Sequence, residues 1–157
     1  MSLLTWLYFK IGIVCIVAIA LIIFIRKVKC IKPKYMLVAY GLGILYFTIL
    51  NRIGVLSGVD TPFFWSLENI GTLANIVNKF NNTMLFIPLG AILYRMLPKW
   101  RAVLIGIGLS VAIEVTQLIT TIGACEFNDL VSNSLGTVIG FAVMKWMMRT
   151  RDSNPWG

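Results

Sequence analysis

Glu114 stands inside an otherwise apolar stretch running from Ala102 to Ile122. A carboxylate in such a setting costs from about 2.5 kcal/mol upward unless it is paired, hydrated or protonated. Ser110, Glu114, Gln117 and Thr121 recur at intervals of three or four, so they share one helix face and form a polar seam. Asp129, Asn133, Gly136 and Gly140 repeat the device on a second helix, polar groups first and small residues deeper. The Gly136 to Gly140 spacing permits close helix contact. Asn82 and Arg52 fall at a comparable depth, one at the start and one at the end of their own helices.

Gathered together, these residues make an outward-facing pocket. Arg52 supplies a permanent cation able to hold a phosphate or carboxylate, Glu114 and Asp129 supply carboxylates, and Asn82, Gln117 and Asn133 supply amides. Glu114, Glu126 and Asp129 are the candidate acid and base should the pocket be catalytic. A structural reading uses the same residues: Arg52 pairs with Asp129 or Glu114, and the amides crosslink helices by hydrogen bonds. Cys125 beside Glu126 offers a thiol, but no base for it is identifiable. The chain has 0 histidines, which excludes Ser-His-Asp and Cys-His catalysis and removes the commonest metal ligand. No cofactor motif and no metal site are expected.

The elements that must position these groups are membrane helices. Of the 157 residues 59% are apolar and 13% charged, and the mean hydropathy is +0.87. Apolar runs separated by short charged joints suit about five crossings at roughly 20 helical residues each. The expected fold is therefore all-α, a single bundle with helices at about 4–25, 35–50, 82–97, 102–122 and 129–148. The first run reads as a retained anchor, since its positive charges follow it. Pro88 predicts a kink in the third helix, with Gly90 just beyond it. In the 53–81 loop, Phe63, Leu67, Ile70, Ala74 and Val77 share a face at helical spacing, which predicts a short helix lying on the outer surface.

The net charge of +8 does not point to nucleic acid, because the basic residues form no stripe interleaved with exposed aromatics. It fits membrane topology instead. Arg26, Lys27, Lys29, Lys32, Lys34, Arg95, Lys99, Arg101, Lys145, Arg149 and Arg151 all fall on one side of a five-crossing arrangement. The positive-inside rule then puts the amino terminus outside and the carboxyl terminus in the cytoplasm, with Asp60, Glu68, Glu126 and Asp129 facing outward and Asp152 alone inward.

Three motifs in order carry a family resemblance. Asn82-Thr83-Met84-Leu85-Phe86-Ile87-Pro88-Leu89-Gly90 resembles the Asn-x-x-x-Phe-x-Pro-x-Gly signature of the VanZ family, named for an accessory protein of glycopeptide-resistance clusters in Gram-positive bacteria. Ser110 through Gln117 resembles that family's Ser-x-x-x-Glu-x-x-Gln helix, and Asp129 through Gly136 its Asp-x-x-x-Asn-x-x-Gly motif. With Tyr46 to Arg52 included, the resemblance covers about 46–140. Many members carry an arginine before the last motif, where this chain reads Gly123-Ala124-Cys125. That departure weakens any mechanism needing a cation there.

The resemblance implies an integral protein of the cell membrane that lowers susceptibility to teicoplanin or other lipoglycopeptides. Its implied partners are membrane lipids and a lipid-linked cell-wall precursor or the lipoglycopeptide itself. Two other functions stay open on the residues alone: an intramembrane enzyme acting on a lipid-linked or peptidoglycan substrate, and a small proton-coupled transporter using Glu114. The latter lacks a polar chain reaching the basic joints. The Gly136 and Gly140 pair suits contact within a bundle or between protomers, so the oligomeric state stays open.

Overall fold

The structure is a computed structural model, and it describes residues 3–28, 30–48, 73–120 and 127–152. Five α-helices account for these residues, with no strand among them: α1 (Leu3–Lys27), α2 (Pro33–Thr48), α3 (Leu73–Met96), α4 (Arg101–Thr120) and α5 (Phe127–Asp152). Among the described residues, α4 and α5 contain spans, Arg101–Thr120 and Phe127–Thr150, that are long and apolar enough to cross a membrane.

Local sequence explains several boundaries. α2 opens on Pro33, whose fixed φ suits a first helical position where no amide hydrogen bond is needed. α3 stops before Pro98, which cannot continue a helix, and the Lys99 amide instead donates to the Leu97 carbonyl at 2.7 Å in a tight turn. α5 carries Asp129 in its first turn, where a carboxylate complements the positive end of the helix dipole.

The largest departure from the sequence-based expectation is at α3. This helix begins at Leu73, well before Asn82, and at 24 residues it is roughly 36 Å long rather than a short crossing. Val77, expected on a surface helix, is buried at 8% exposure within it. The polar run Asn78 to Thr83 argues against a helix by propensity, but packing overrides propensity. The Thr83 hydroxyl bonds back to the Lys79 carbonyl at 2.9 Å, keeping that side chain on the helix. The helix also continues through Pro88, which is buried among its neighbours. The 53–72 part of the expected surface helix lies outside the described residues.

α3 and α5 form the centre of the bundle and pack on each other more extensively than any other pair. Three glycines make this approach close. A Cβ on Gly140 would overlap the Ile87 carbonyl, one on Gly136 the Thr83 carbonyl, and one on Gly90 the Thr137 carbonyl. The Gly136 to Gly140 spacing thus serves α3 inside the bundle, backbone against backbone, as small residues do where helices pack closely in lipid. As α5 advances from Gly136 to Gly140, its contacts on α3 advance from Thr83 to Ile87, so the two helices run in parallel.

The remaining directions follow from contacts. Arg95, near the end of α3, donates from Nη1 to the carbonyl oxygens of Ile25 and Val28, the latter at 2.7 Å, so α1 and α3 end together. Met36, in the first turn of α2, lies against the same guanidinium. An apolar cluster of Ile25, Met36, Ala91, Ile92 and Met144 joins α1, α2, α3 and α5 at this end. The odd-numbered helices therefore finish, and α2 and α4 begin, at one end of the bundle. Arg26, Lys27, Lys32, Lys34, Lys99, Arg101, Lys145 and Arg149 all sit there, and we term it the basic end.

Polarity is inverted relative to a water-soluble bundle. Ile16, Leu118, Ile119, Leu42 and Trp146 are each more than 60% exposed, whereas Ser110, Glu114, Gln117, Asn133 and Thr137 are buried. Leaving such side chains outward is unfavourable in water and neutral in hydrocarbon.

Candidate functional site

The polar side chains collect between α4 and α5, toward the end opposite the basic one. Two contacts set the register of these helices: a Cβ on Gly106 would collide with the Thr137 side chain, and Asn133 Nδ2 donates to Ser110 Oγ at 3.0 Å. One turn along α4 from Gly106 corresponds to one turn back along α5 from Thr137, so the pair is antiparallel. The next turn in the same register sets Glu114 level with Asp129. Both carboxylates are buried, at 4% and 9% exposure, and neither is without a partner.

Gln117 lies one turn farther and reaches a third helix. Its Nε2 donates to the Thr48 carbonyl at the end of α2, at 3.0 Å, and its side chain is 2% exposed. The last-turn carbonyls of a helix have no partner within the helix, so a side-chain amide there satisfies a group that would otherwise need water. The Oε1 of the same amide has no hydrogen-bond partner, and neither has Oδ1 of Asn133. Buried acceptors of this kind are few in native structures, and each calls for a donor.

On the α3 side, Asn82 is half-buried, next to Thr83, whose carbonyl faces Gly136. Asn81 Oδ1 is a further buried acceptor without a partner. Below the polar level, Tyr40 of α2 donates its hydroxyl to the Leu85 carbonyl at 2.7 Å, and the interior becomes apolar around Phe86, Leu89, Leu93 and Ile113.

The structure thus buries Asn133, Glu114, Asp129 and Gln117 on successive turns, a polar layer toward one end of α4 and α5, and leaves Asn82 half-buried on α3. Arg52, Thr121, Cys125 and Glu126 lie outside the described residues. Pro88 and Gly90 belong to the packing core beneath the layer.

Sequence reasoning passed over Gly106, Thr137 and Thr48. Gly106 sits four residues before Ser110 and Thr137 four after Asn133, so both extend the polar faces by one turn. Thr137 is fully buried, and its hydroxyl donates to the Asn133 carbonyl at 3.1 Å. A search for small and hydroxyl-bearing residues in phase with each seam finds them; a search for ionisable groups does not. Thr48 contributes its backbone carbonyl, which no side-chain pattern reveals.

Chemically, the layer is rich in acceptors: two carboxylates and amide oxygens, held in a setting of low polarity where hydrogen bonds and charges act strongly. The family model described as VanZ/LLP1 matches residues 11–148. No curated protein and no solved structure matches the chain.

Proposed function

The chain belongs to the VanZ-like family, and from that premise we propose that it is a five-crossing membrane protein whose polar layer faces outward, binds a cell-wall amphiphile, and lowers susceptibility to teicoplanin or other lipoglycopeptides. Family membership and two helices fit to cross a bilayer support a membrane protein. The alternating helix directions and the basic residues gathered at one end support the multi-pass topology, with that end in the cytoplasm. Exposed Trp100 and Trp146 near the same end are suited to the membrane-water boundary.

The observation that carries the binding reading is the pair of buried acceptors without partners, Gln117 Oε1 and Asn133 Oδ1. A seam that served only to crosslink helices gains nothing from leaving them unpaired, whereas a ligand bearing hydrogen-bond donors satisfies them. An amphiphile can reach this level from the outer leaflet with its chain still in hydrocarbon. The test is susceptibility of a sensitive host to teicoplanin and to vancomycin, with and without the expressed protein. Protection against the lipid-bearing drug is expected, and equal susceptibility in both strains would defeat the proposal.

A second reading is favoured by one feature, the placement of Glu114 and Asp129 at the same level of facing helices. Paired carboxylates in a partly dry site suit acid and base work on a lipid-linked or peptidoglycan substrate. In that case Glu114→Gln abolishes activity, and mass spectrometry of lipid and wall precursors shows a species that depends on the wild-type chain. Unchanged precursor profiles would argue for binding alone.

A further inference from the structure

The turn between α3 and α4 meets the last turns of α5 at the basic end. The Ser110–Asn133 bond and the Gly106–Thr137 approach fix the antiparallel register of α4 and α5, and one further turn sets Ala102 level with Phe141. Lys145 therefore comes level with the Pro98-Lys99 turn, with Arg101 less than one turn deeper and Arg149 one turn beyond. Four cations, Lys99, Arg101, Lys145 and Arg149, thus fall within about two helical turns, roughly 11 Å, along the bundle.

All four side chains are exposed, and none has an ion-pair or hydrogen-bond partner among the described residues. The buried carboxylates Glu114 and Asp129 lie toward the other end of both helices, which leaves Asp152, the last residue of α5, as the sole acid among the described residues at this end. Like charges gathered within about a Debye length, roughly 8 Å at physiological salt, repel one another, and an anion between them removes that cost. α4 also begins here, at Arg101, so the positive end of its dipole adds to the attraction.

Two tryptophans fix the depth of these charges. Trp100 stands between Lys99 and Arg101, and Trp146 follows Lys145; they are 67% and 66% exposed. Indole rings settle at the headgroup level of a bilayer, so the cations beside them reach the lipid phosphates, the lysine stems lying along hydrocarbon. Deeper on the same helices Leu104 and Val138 are exposed. A free phosphate would meet the charge and leave these apolar groups uncovered, whereas a phospholipid covers both.

We propose that Lys99, Arg101, Lys145 and Arg149 bind the phosphate of an anionic phospholipid, whose chains run along α4 and α5 past Trp100 and Trp146. The guanidinium forks of Arg101 and Arg149 suit phosphate oxygens. The site rests on the multi-pass membrane reading above and is independent of the polar layer at the other end.

The probes are phosphatidylglycerol and phosphatidylcholine with the same acyl chains, and binding to the full-length protein in detergent is read by native mass spectrometry. The wild type is expected to prefer phosphatidylglycerol by roughly five- to thirtyfold, the scale of one or two cations beside a charged lipid, and added salt is expected to lower the preference. Combining Lys99→Gln, Arg101→Gln, Lys145→Gln and Arg149→Gln should abolish it, and Lys145→Gln with Arg149→Gln alone should reduce it severalfold. Lys27→Gln, Lys32→Gln and Lys34→Gln together remove exposed charge at the α1–α2 joint and should leave it intact. Helical circular dichroism checks the folding of each variant. Equal binding of the two lipids by the wild type overturns the proposal, as does an undiminished preference in the two-residue variant or an equal loss in the α1–α2 control. Displacement of phosphatidylglycerol by excess inorganic phosphate would assign the cations to a free anion and overturn it too. A lipid preference in a chain that gives no drug protection sinks the resistance reading alone, and a protective chain that binds both lipids equally sinks this one alone.

Discussion

Gly140 of α5 lies so close to the backbone of Ile87 on α3 that a Cβ at this glycine would overlap the Ile87 carbonyl. The obstacle is backbone in a packed helix, not the end of a flexible side chain. The two central helices must therefore separate to admit even one methyl group.

Gly140→Ala should accordingly destabilise the bundle by about 1–3 kcal/mol, the usual cost of overpacking. Gly108→Ala is the control, since a Cβ there meets nothing within 4 Å, and it should change stability by less than about 0.5 kcal/mol. Thermal unfolding of both variants in the same detergent distinguishes them; equal melting temperatures would show that α3 and α5 do not approach as described.

Arg95 ties the ends of α1 and α3 through the Ile25 and Val28 carbonyls. Hydrogen bonds from a charged donor to orphan carbonyls at a helix end contribute more than neutral ones. Arg95→Gln should cost about 1–3 kcal/mol, discounted for the partial exposure of the side chain. Arg95→Lys should recover only part of this, because one ammonium reaches fewer acceptors in a fixed geometry. The expected readout is faster hydrogen exchange at the end of α1 in Arg95→Gln, and protection equal to wild type would count against the staple.

Ser110 and Asn133 are joined by a buried hydrogen bond across α4 and α5. Replacing either leaves the other buried without its partner, so Ser110→Ala and Asn133→Ala should each destabilise by about 1 kcal/mol. The double variant should cost less than the sum, by about 0.6 kcal/mol, typical of interhelical bonds in membranes. Strict additivity in denaturant unfolding would mean the two do not interact.

Cys30 is exposed at the basic end. In a chain with Cys15 and Cys125 replaced by serine, a membrane-impermeant maleimide should label Cys30 only after the cells are permeabilised. Labelling of intact cells would reverse the proposed orientation and put the polar layer in the cytoplasmic half.

Much of the helical layout can be read from the residues themselves. Apolar runs and the breaks at Arg26-Lys27 and Pro98-Lys99 locate α1, α2 and α4 to within a few residues, because helix period and span length are local properties of the chain. The spacing of Ser110, Glu114 and Gln117, and of Asp129 and Asn133, assigns these residues to two helix faces for the same reason. The start of α3 is not readable in this way: Asn78, Asn81 and Asn82 suggest a loop, yet they are helical, in a helix whose next residue Thr83 lies against Gly136 of α5.

What tertiary structure alone decides is register and pairing. Nothing along the chain states that Gly106 meets Thr137, that Ser110 meets Asn133, or that Glu114 is therefore level with Asp129. Those relations depend on how far one helix slides past another: the close approach of Gly106 to Thr137 sets α4 on α5, as Gly136 and Gly140 set α5 on α3. An apolar groove between α2 and α4 has the same origin. Each helix brings an apolar face that would suit direct contact, and whether they meet is determined by how both pack on α3. Periodicity within a helix comes from the geometry of one backbone, whereas its depth and partner come from steric fit between backbones, which no single segment encodes.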